Sequence, residues 1–208
     1  MPRIRREIQL YELISLTVLV IQFISIDSDT LVSALNFLIL SSKEGTLTAV
    51  SSPLESVKKS LYTLNCVPLL IKLLRVTEVP LNTQELALAL LSKLVVLPYC
   101  REVVISKGGI PLIVSLLQHH PDESALVFCG LSCIGYLSHG SACIRYVLCI
   151  DYSVCSTLSE LNAFPLMISL CVNYVKLVDK GIVMQVLGIV SNILCASKEK
   201  TKNGGACL

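Results

Sequence analysis

GGIPLIVSLL, Gly108 to Leu117, decides how this chain is read. A small pair of residues is followed by an apolar residue, a proline and an apolar helix start. NCVPLLIKLL, Asn65 to Leu74, carries the pattern upstream, and NAFPLMISLC, Asn162 to Cys171, carries it downstream. A motif that returns at such distances signals a solenoid, in which each unit stacks on its neighbours. Proline in the first turn of a helix forfeits an amide that would be unpaired anyway, and its fixed φ suits the helix. Gly108 and Gly109 can take positive φ, which ends one helix and turns the chain; Asn65 and Asn162 are the next best residues for that turn. Each copy therefore reads as a joint between two helices.

The spacing sets the register. From Pro68 to Pro111 is 43 residues, and from Pro111 to Pro165 is 54, one unit plus an insertion. The terminal GGACL, Gly204 to Leu208, puts Cys207 where another proline would stand, 42 residues after Pro165. A second landmark keeps step. ALALLSKL, Ala87 to Leu94, begins nineteen residues after Pro68; GLSCIGYL, Gly130 to Leu137, nineteen after Pro111; VLGIVSNI, Val186 to Ile193, twenty-one after Pro165.

These three stretches resemble the third helix of an armadillo repeat, whose pattern is close to ALWALxNL. The helices before them resemble its second helix, GGIPxLVxLL, and CREVVISKGG, Cys100 to Gly109, looks like its first helix and joint. The resemblance covers most of the chain and is best from Cys100 to His139. It implies an all-α, right-handed armadillo-type superhelix, a solenoid of about four repeats with incomplete ends. The units fall at about 8–42, 53–98, 99–139 and 140–196, with the start of a fifth at 197–208.

Composition agrees. Apolar residues make up 53% and charged residues 15%, more apolar and less charged than an ordinary soluble domain, as suits helices packed on more than one side. A net charge of +2 is too small to imply nucleic acid. Arg3, Arg5 and Arg6 near one end, and Lys198, Lys200 and Lys202 near the other, read as solvated basic patches. The ten cysteines include no Cys-x-x-Cys and no zinc-finger spacing. Cys129 and Cys133 lie four apart, with His139 and Cys143 following, so a metal protein built on Cys129 to Cys155 is one alternative. The preferred reading is that these cysteines pack as small apolar residues and that no metal or other cofactor is held. His119 and His120 read as part of a solvated turn. No Asn-x-Ser/Thr sequon is present, which favours a reducing compartment, the cytoplasm first and the nucleus second.

Leu13 to Ile26 is a 14-residue apolar run after an Arg-rich start, and a membrane anchor is the other alternative. The run is short for a bilayer, and no small-x-small site follows it. It also fits the register: Ser15 stands nineteen residues before Ala34, so SLTVLVI overlays PLLIKLL. A packed repeat helix is therefore the preferred reading. Asp29 to Leu40 is expected as the third helix of that unit, with Asp29 as its N-cap. Ser41 to Ser52 reads as a loop and Pro53 to Leu64 as a short helix. Val67 to Arg75 and Asn82 to Leu97 follow, with Pro98 as a helix stop and Asp122 as an N-cap for the next helix. In the last unit, Ser141 to Ile150 is expected as the first helix. Asp151 to Glu160 is then surplus, a loop insertion or an extension of that helix. Pro165 to Val172 and Lys180 to Cys195 complete the unit.

The chain shows no Gly-x-Ser-x-Gly, phosphate-binding glycine loop, His-Glu-x-x-His or paired carboxylates, so no enzyme is expected. The resemblance implies instead a scaffold that holds a protein or extended peptide on the concave surface lined by third helices. In the peptide-binding branch, tryptophan stacks on the ligand and asparagine reads its backbone. The tryptophan positions fall on Ala89, Ser132 and Gly188, and the asparagine positions on Lys93, Tyr136 and Asn192. Only Asn192 matches, and the chain has no tryptophan, which argues against nuclear-localisation-signal binding of the importin-alpha kind. Lys93, Ser132, Tyr136 and Asn192 are the expected partner-binding residues. The end units lack polar outer faces, so the chain is expected to belong to a longer solenoid or to associate through its uncapped ends.

Overall fold

A computed structural model describes residues 12–19, 21, 28–41, 53–76, 78–138 and 152–203. Every regular element among them is an α-helix, as expected. The chain divides into two compact units, Met1–Leu94 and Val95–Leu208.

The first unit holds α1 (residues 12–19), α2 (Ser28–Ser41), α3 (Pro53–Thr63), α4 (Cys66–Arg75) and α5 (Leu81–Leu94). Val67, Leu70, Ile71 and Leu74 recur at three and four residues along α4 and form its buried stripe, the spacing that puts apolar side chains on one helical face. They share a core with Leu35 and Leu38 of α2 and Leu88, Leu91 and Leu94 of α5, all fully buried. Ile14 and Val18 are the buried positions of α1.

The second unit holds α6 (Pro98–Ser106), α7 (Gly109–His119), α8 (Ser124–Ser138), α9 (Tyr152–Glu160), α10 (Ala163–Lys176) and α11 (Lys180–Asn203). Ile113, Val114 and Leu117 of α7 pack with Leu126, Leu131 and Ile134 of α8 and with Val154 and Leu158 of α9 inside this unit.

The three joints are built alike. Asn65, Gly108 and Asn162 all take the left-handed conformation, at φ 56, 69 and 50. Asparagine and glycine tolerate that region best. The second glycine of the motif acts differently. Gly109 is helical and buried, and a Cβ there would run into the Val104 side chain and lie 2.9 Å from the Val104 carbonyl oxygen. It is small so that α6 and α7 can meet closely.

Several local expectations need correction. Pro98 does not stop the preceding helix, which already ends at Leu94; it opens α6 as a first-turn proline. Leu97 before it is extended, at φ −84 and ψ 128, as a residue preceding proline must be. Asp29 lies inside the first turn of α2, and Asp122 lies in the turn two residues before α8 begins. The largest correction concerns 151–160. It is not a loop insertion: Tyr152–Glu160 is the helix α9, and Val154 and Leu158 are fully buried. The joint explains why. At each of the three described joints the preceding helix ends two residues before the left-handed residue: Thr63 before Asn65, Ser106 before Gly108, Glu160 before Asn162. The expected helix Ser141 to Ile150 lies outside the described residues.

Candidate functional site

α8 and α11 form the centre of the candidate site. A Cβ on Gly130 would lie 2.8 Å from Leu117 Cδ2, so α7 can lie close against α8. A Cβ on Gly135 would stand 3.7 Å from both Gln185 Oε1 and Ile189 Cγ1 of α11. At the start of α8, Phe128 Cε2 lies 3.4 Å from where a Gly181 Cβ would be. At its end, Asn192 Nδ2 donates to Ser138 Oγ at 3.2 Å. These contacts climb both helices in the same order, so the two helices run parallel.

The entry to α11 is fixed by its own bonds. Asp179 N–H donates to the Tyr174 carbonyl at 3.0 Å and Val178 N–H to the Val175 carbonyl at 3.1 Å, the paired closure of a Schellman turn. Val178 is left-handed, at φ 58. Asp179 Oδ1 then accepts from Gly181 N–H at 3.0 Å and Ile182 N–H at 3.2 Å, an N-cap that satisfies two orphan donors of the helix. Tyr174 on α10 is buried, and its hydroxyl donates to the Pro121 carbonyl at 3.1 Å, tying α10 to the turn before α8. Burial raises the phenol pKa, and the nearby carboxylates of Asp122, Asp179 and Glu123 push it the same way.

The expected contact residues differ in what they can offer. Ser132 is buried, and its hydroxyl donates to the Phe128 carbonyl at 2.8 Å within α8. Tyr136, one turn further on, is exposed. Asn192 is half-buried and engaged with Ser138 through one N–H. Ser132 and Tyr136 thus share a face of α8, and Asn192 stands on the adjoining helix. Lys93 is half-buried in the last turn of α5, in the first unit, where a cation suits the negative end of the helix dipole.

Sequence reasoning missed three neighbours. Phe128 and Met184 are exposed and stand one turn before Ser132 and Gly188. Stepping back four residues along each third helix would have found them. Gly188 itself is exposed, with nothing within 4 Å of where a Cβ would be, so it leaves a notch between Met184 and Asn192. Arg101 on α6 donates from Nε to the Val95 carbonyl at 2.9 Å and from Nη2 to the Val96 carbonyl at 3.0 Å. Burial lowers its pKa, while its coupling to Tyr136 opposes that change. No carboxylate stands among Phe128, Ser132, Tyr136, Met184, Gly188 and Asn192.

Among the described cysteines, Cys66, Cys100 and Cys133 are buried and behave as packing residues. Burial pushes the Cys100 thiol up to about 12, and burial followed by Cys129 raises Cys133 well above its ordinary value. Such thiols are poor nucleophiles and poor ligands at neutral pH. Among the described residues no group of three His, Cys, Asp or Glu could hold a metal ion; His139 and Cys143 lie outside them. No described helix is long and apolar enough to cross a membrane.

No family model matches the chain, and no curated protein matches it. Solved structures do. An engineered protein from the Northeast Structural Genomics Consortium aligns with a TM-score of 0.65 at 17% identity, over 88% of this chain and 62% of that one. A second engineered protein from the same consortium aligns at 0.64 and 16%, over 86% and 37%. A designed armadillo repeat protein in complex with the peptide (KR)4 aligns at 0.60 and 13%, over 86% and 63%. The chain spans less than two thirds of each of these proteins. It has the armadillo-like, all-α helical repeat fold.

Proposed function

We propose that the chain is a non-catalytic repeat scaffold that binds an extended protein segment along the exposed face of α8 and α11. One observation carries this reading. The parallel pair is locked together by its own contacts, yet leaves Phe128, Tyr136 and Met184 exposed on its outer side. Aromatic and methionine side chains on a rigid frame are the groups that anchor partners most effectively. The fold is also that of a designed armadillo protein in complex with a peptide.

The chemistry of the face selects the ligand. That designed protein is in complex with the basic peptide (KR)4, whereas none of Phe128, Ser132, Tyr136, Met184, Gly188 and Asn192 is a carboxylate; the nearest, Asp179 at the Phe128 end, already accepts from the first amides of α11. Arg101 is coupled to Tyr136. An apolar or aromatic segment is therefore the partner, with its backbone read by the Asn192 amide, as the repeat position implies. Ser132, buried and with its hydroxyl engaged by the Phe128 carbonyl, acts as a spacer more than a contact. Lys93 takes the corresponding part in its own unit. The buried thiols of Cys100 and Cys133 suit a reducing compartment, the cytoplasm.

Selection of random-sequence peptides on the purified chain tests the proposal. Recovered peptides should be apolar or aromatic, and Tyr136→Ala and Asn192→Ala should each weaken them about tenfold, the loss of one good contact. Gln118→Ala, on the exposed side of α7, should leave them unchanged. Peptides rich in lysine and arginine, or binding indifferent to Tyr136→Ala, would refute it.

A further inference from the structure

The exposed face of α8 and α11 is interrupted at its middle, and the gap has a definite outline. Phe128 stands level with Gly181, and Ser138 with Asn192, so Gly188 falls between the levels of Ser132 and Tyr136. At about 3.6 residues per turn, Ser132 and Tyr136 lie to one side of the α8 contact line through Gly135 and Ser138. Gly188 and Met184 lie to the opposite side of the α11 contact line through Gln185, Ile189 and Asn192. In two parallel helices those opposite rotations open on the same side. Ser132 and Gly188, the smallest residues of the face, are therefore neighbours across the pair. Phe128 and Met184 bound the gap at one end, Tyr136 and Asn192 at the other. Eight residues separate Phe128 from Tyr136, and Met184 from Asn192, which is about 12 Å along each axis. One large side chain fits between them.

The floor of the gap asks for no hydrogen bond. The Ser132 hydroxyl is turned back onto the Phe128 carbonyl, and among the described residues nothing stands within 4 Å of where a Gly188 Cβ would be. The walls are of one chemical kind. Phe128 is 41% exposed, Tyr136 42% and Met184 67%, so two rings and a thioether are left in water around an open space. An aromatic ring in that space gains from all three, by offset or edge-to-face packing on the rings and by contact with the sulfur. An aliphatic chain gains only from its buried area. A lysine or arginine side chain meets a like charge there, because Arg101 acts on Tyr136 from α6.

We propose that the gap over Ser132 and Gly188 is the specificity pocket of this face and takes one aromatic side chain of the bound segment, laid between Met184 and Tyr136. The inference rests on the peptide-binding reading of α8 and α11 and adds to it where selectivity resides. Gly188 is the determinant: any larger residue there fills the pocket from below.

Indole and p-cresol, the side chains of tryptophan and tyrosine, probe the pocket without any peptide. The full chain is labelled with methyl-13C methionine and titrated by NMR. Met184 is exposed beside the gap, and Met167 on α10 is 2% exposed and serves as the internal control. Either probe should shift the Met184 methyl signal by ring current and reach half-saturation at about 1 mM, a value in keeping with a nine-atom ligand. Met167 should not move. Gly188→Leu keeps the helix, since leucine is the better helix former, and should raise the half-saturation concentration at least about tenfold. n-Butylamine, the side chain of lysine, should leave Met184 where it is. A shift that never saturates, one that survives Gly188→Leu unchanged, or one that n-butylamine reproduces would overturn the pocket. Tyr136-dependent peptides recovered alongside any of these results would leave the peptide-binding face standing and remove the pocket alone. Peptides indifferent to Tyr136→Ala would instead remove the reading on which the pocket rests.

Discussion

α8 and α11 hold the same place in successive repeats and are treated differently by their surroundings. α8 is buried around most of its circumference: Leu126, Leu131 and Ile134 are covered, and so are Gly130, Ser132 and Ser138. α11 buries one stripe, Ile182, Val186, Ile189 and Ile193, and exposes Met184 and Leu187 between them. Over residues 182–195 α11 is as apolar as α8, so what separates them there is their neighbours. A third helix of this fold is apolar on more than one side because it expects cover on more than one side. Apolarity in the sequence therefore states how much contact a helix can use, and the stacking decides how much it obtains.

Paired substitutions test that difference. The largest contrast is Leu131→Ala against Leu187→Ala. Truncating the covered leucine should cost about 3 kcal/mol, through lost transfer energy and the cavity left behind. Truncating the exposed one should stay within about 0.5 kcal/mol. Urea unfolding at low protein concentration measures both, and equal losses would break the comparison. Glycines give the next contrast, with opposite signs. Gly130→Ala meets Leu117 Cδ2 at 2.8 Å and should destabilise by about 1–2 kcal/mol, the usual range for overpacking. Gly188→Ala meets nothing and should stabilise by up to about 1 kcal/mol through helix propensity. Thermal unfolding should move the two variants in opposite directions. The smallest effect is at the turns. Val178 takes a left-handed conformation in which a β-branched residue is strained by about 1–2 kcal/mol. Val178→Gly should recover about 0.5 kcal/mol after the entropy of the added glycine is subtracted. Gly108→Ala, at φ 69, should lose about 1 kcal/mol. Melting temperatures of the two variants settle the signs.

The joints were the most legible part of the sequence. Asn65, Gly108 and Asn162 are the residue types that a left-handed turn demands, and the prolines after them mark first turns, so the helix pairs follow from local chemistry. Pro98 was misread because proline forbids the interior of a helix and favours its start, and both readings begin with the same residue. α9 was misread because counting from proline to proline locates a surplus without saying which residues form it. Tyr152–Glu160 carries Val154 and Leu158 at helical spacing, but only the position of the Asn162 joint identifies it as a first helix. At the candidate site, the repeat register put Tyr136 and Asn192 on successive third helices. It did not reveal that Ser132 is buried, with its hydroxyl turned back onto the Phe128 carbonyl of its own helix. Nor did it point to Arg101, whose coupling to Tyr136 joins helices distant in sequence.

The bond from Tyr174 to Pro121 has an optical consequence. The chain has no tryptophan, and its near-ultraviolet signal comes chiefly from seven tyrosines. Tyr174 is buried and donates its hydroxyl across 53 residues of chain, whereas Tyr136 faces water. The asymmetric surroundings that give a tyrosine its circular dichroism are thus built into Tyr174 only when α10 is seated on the turn before α8. Difference spectra between the native chain and Tyr174→Phe would isolate that band and make it a label-free clock for the docking of the last helices during folding.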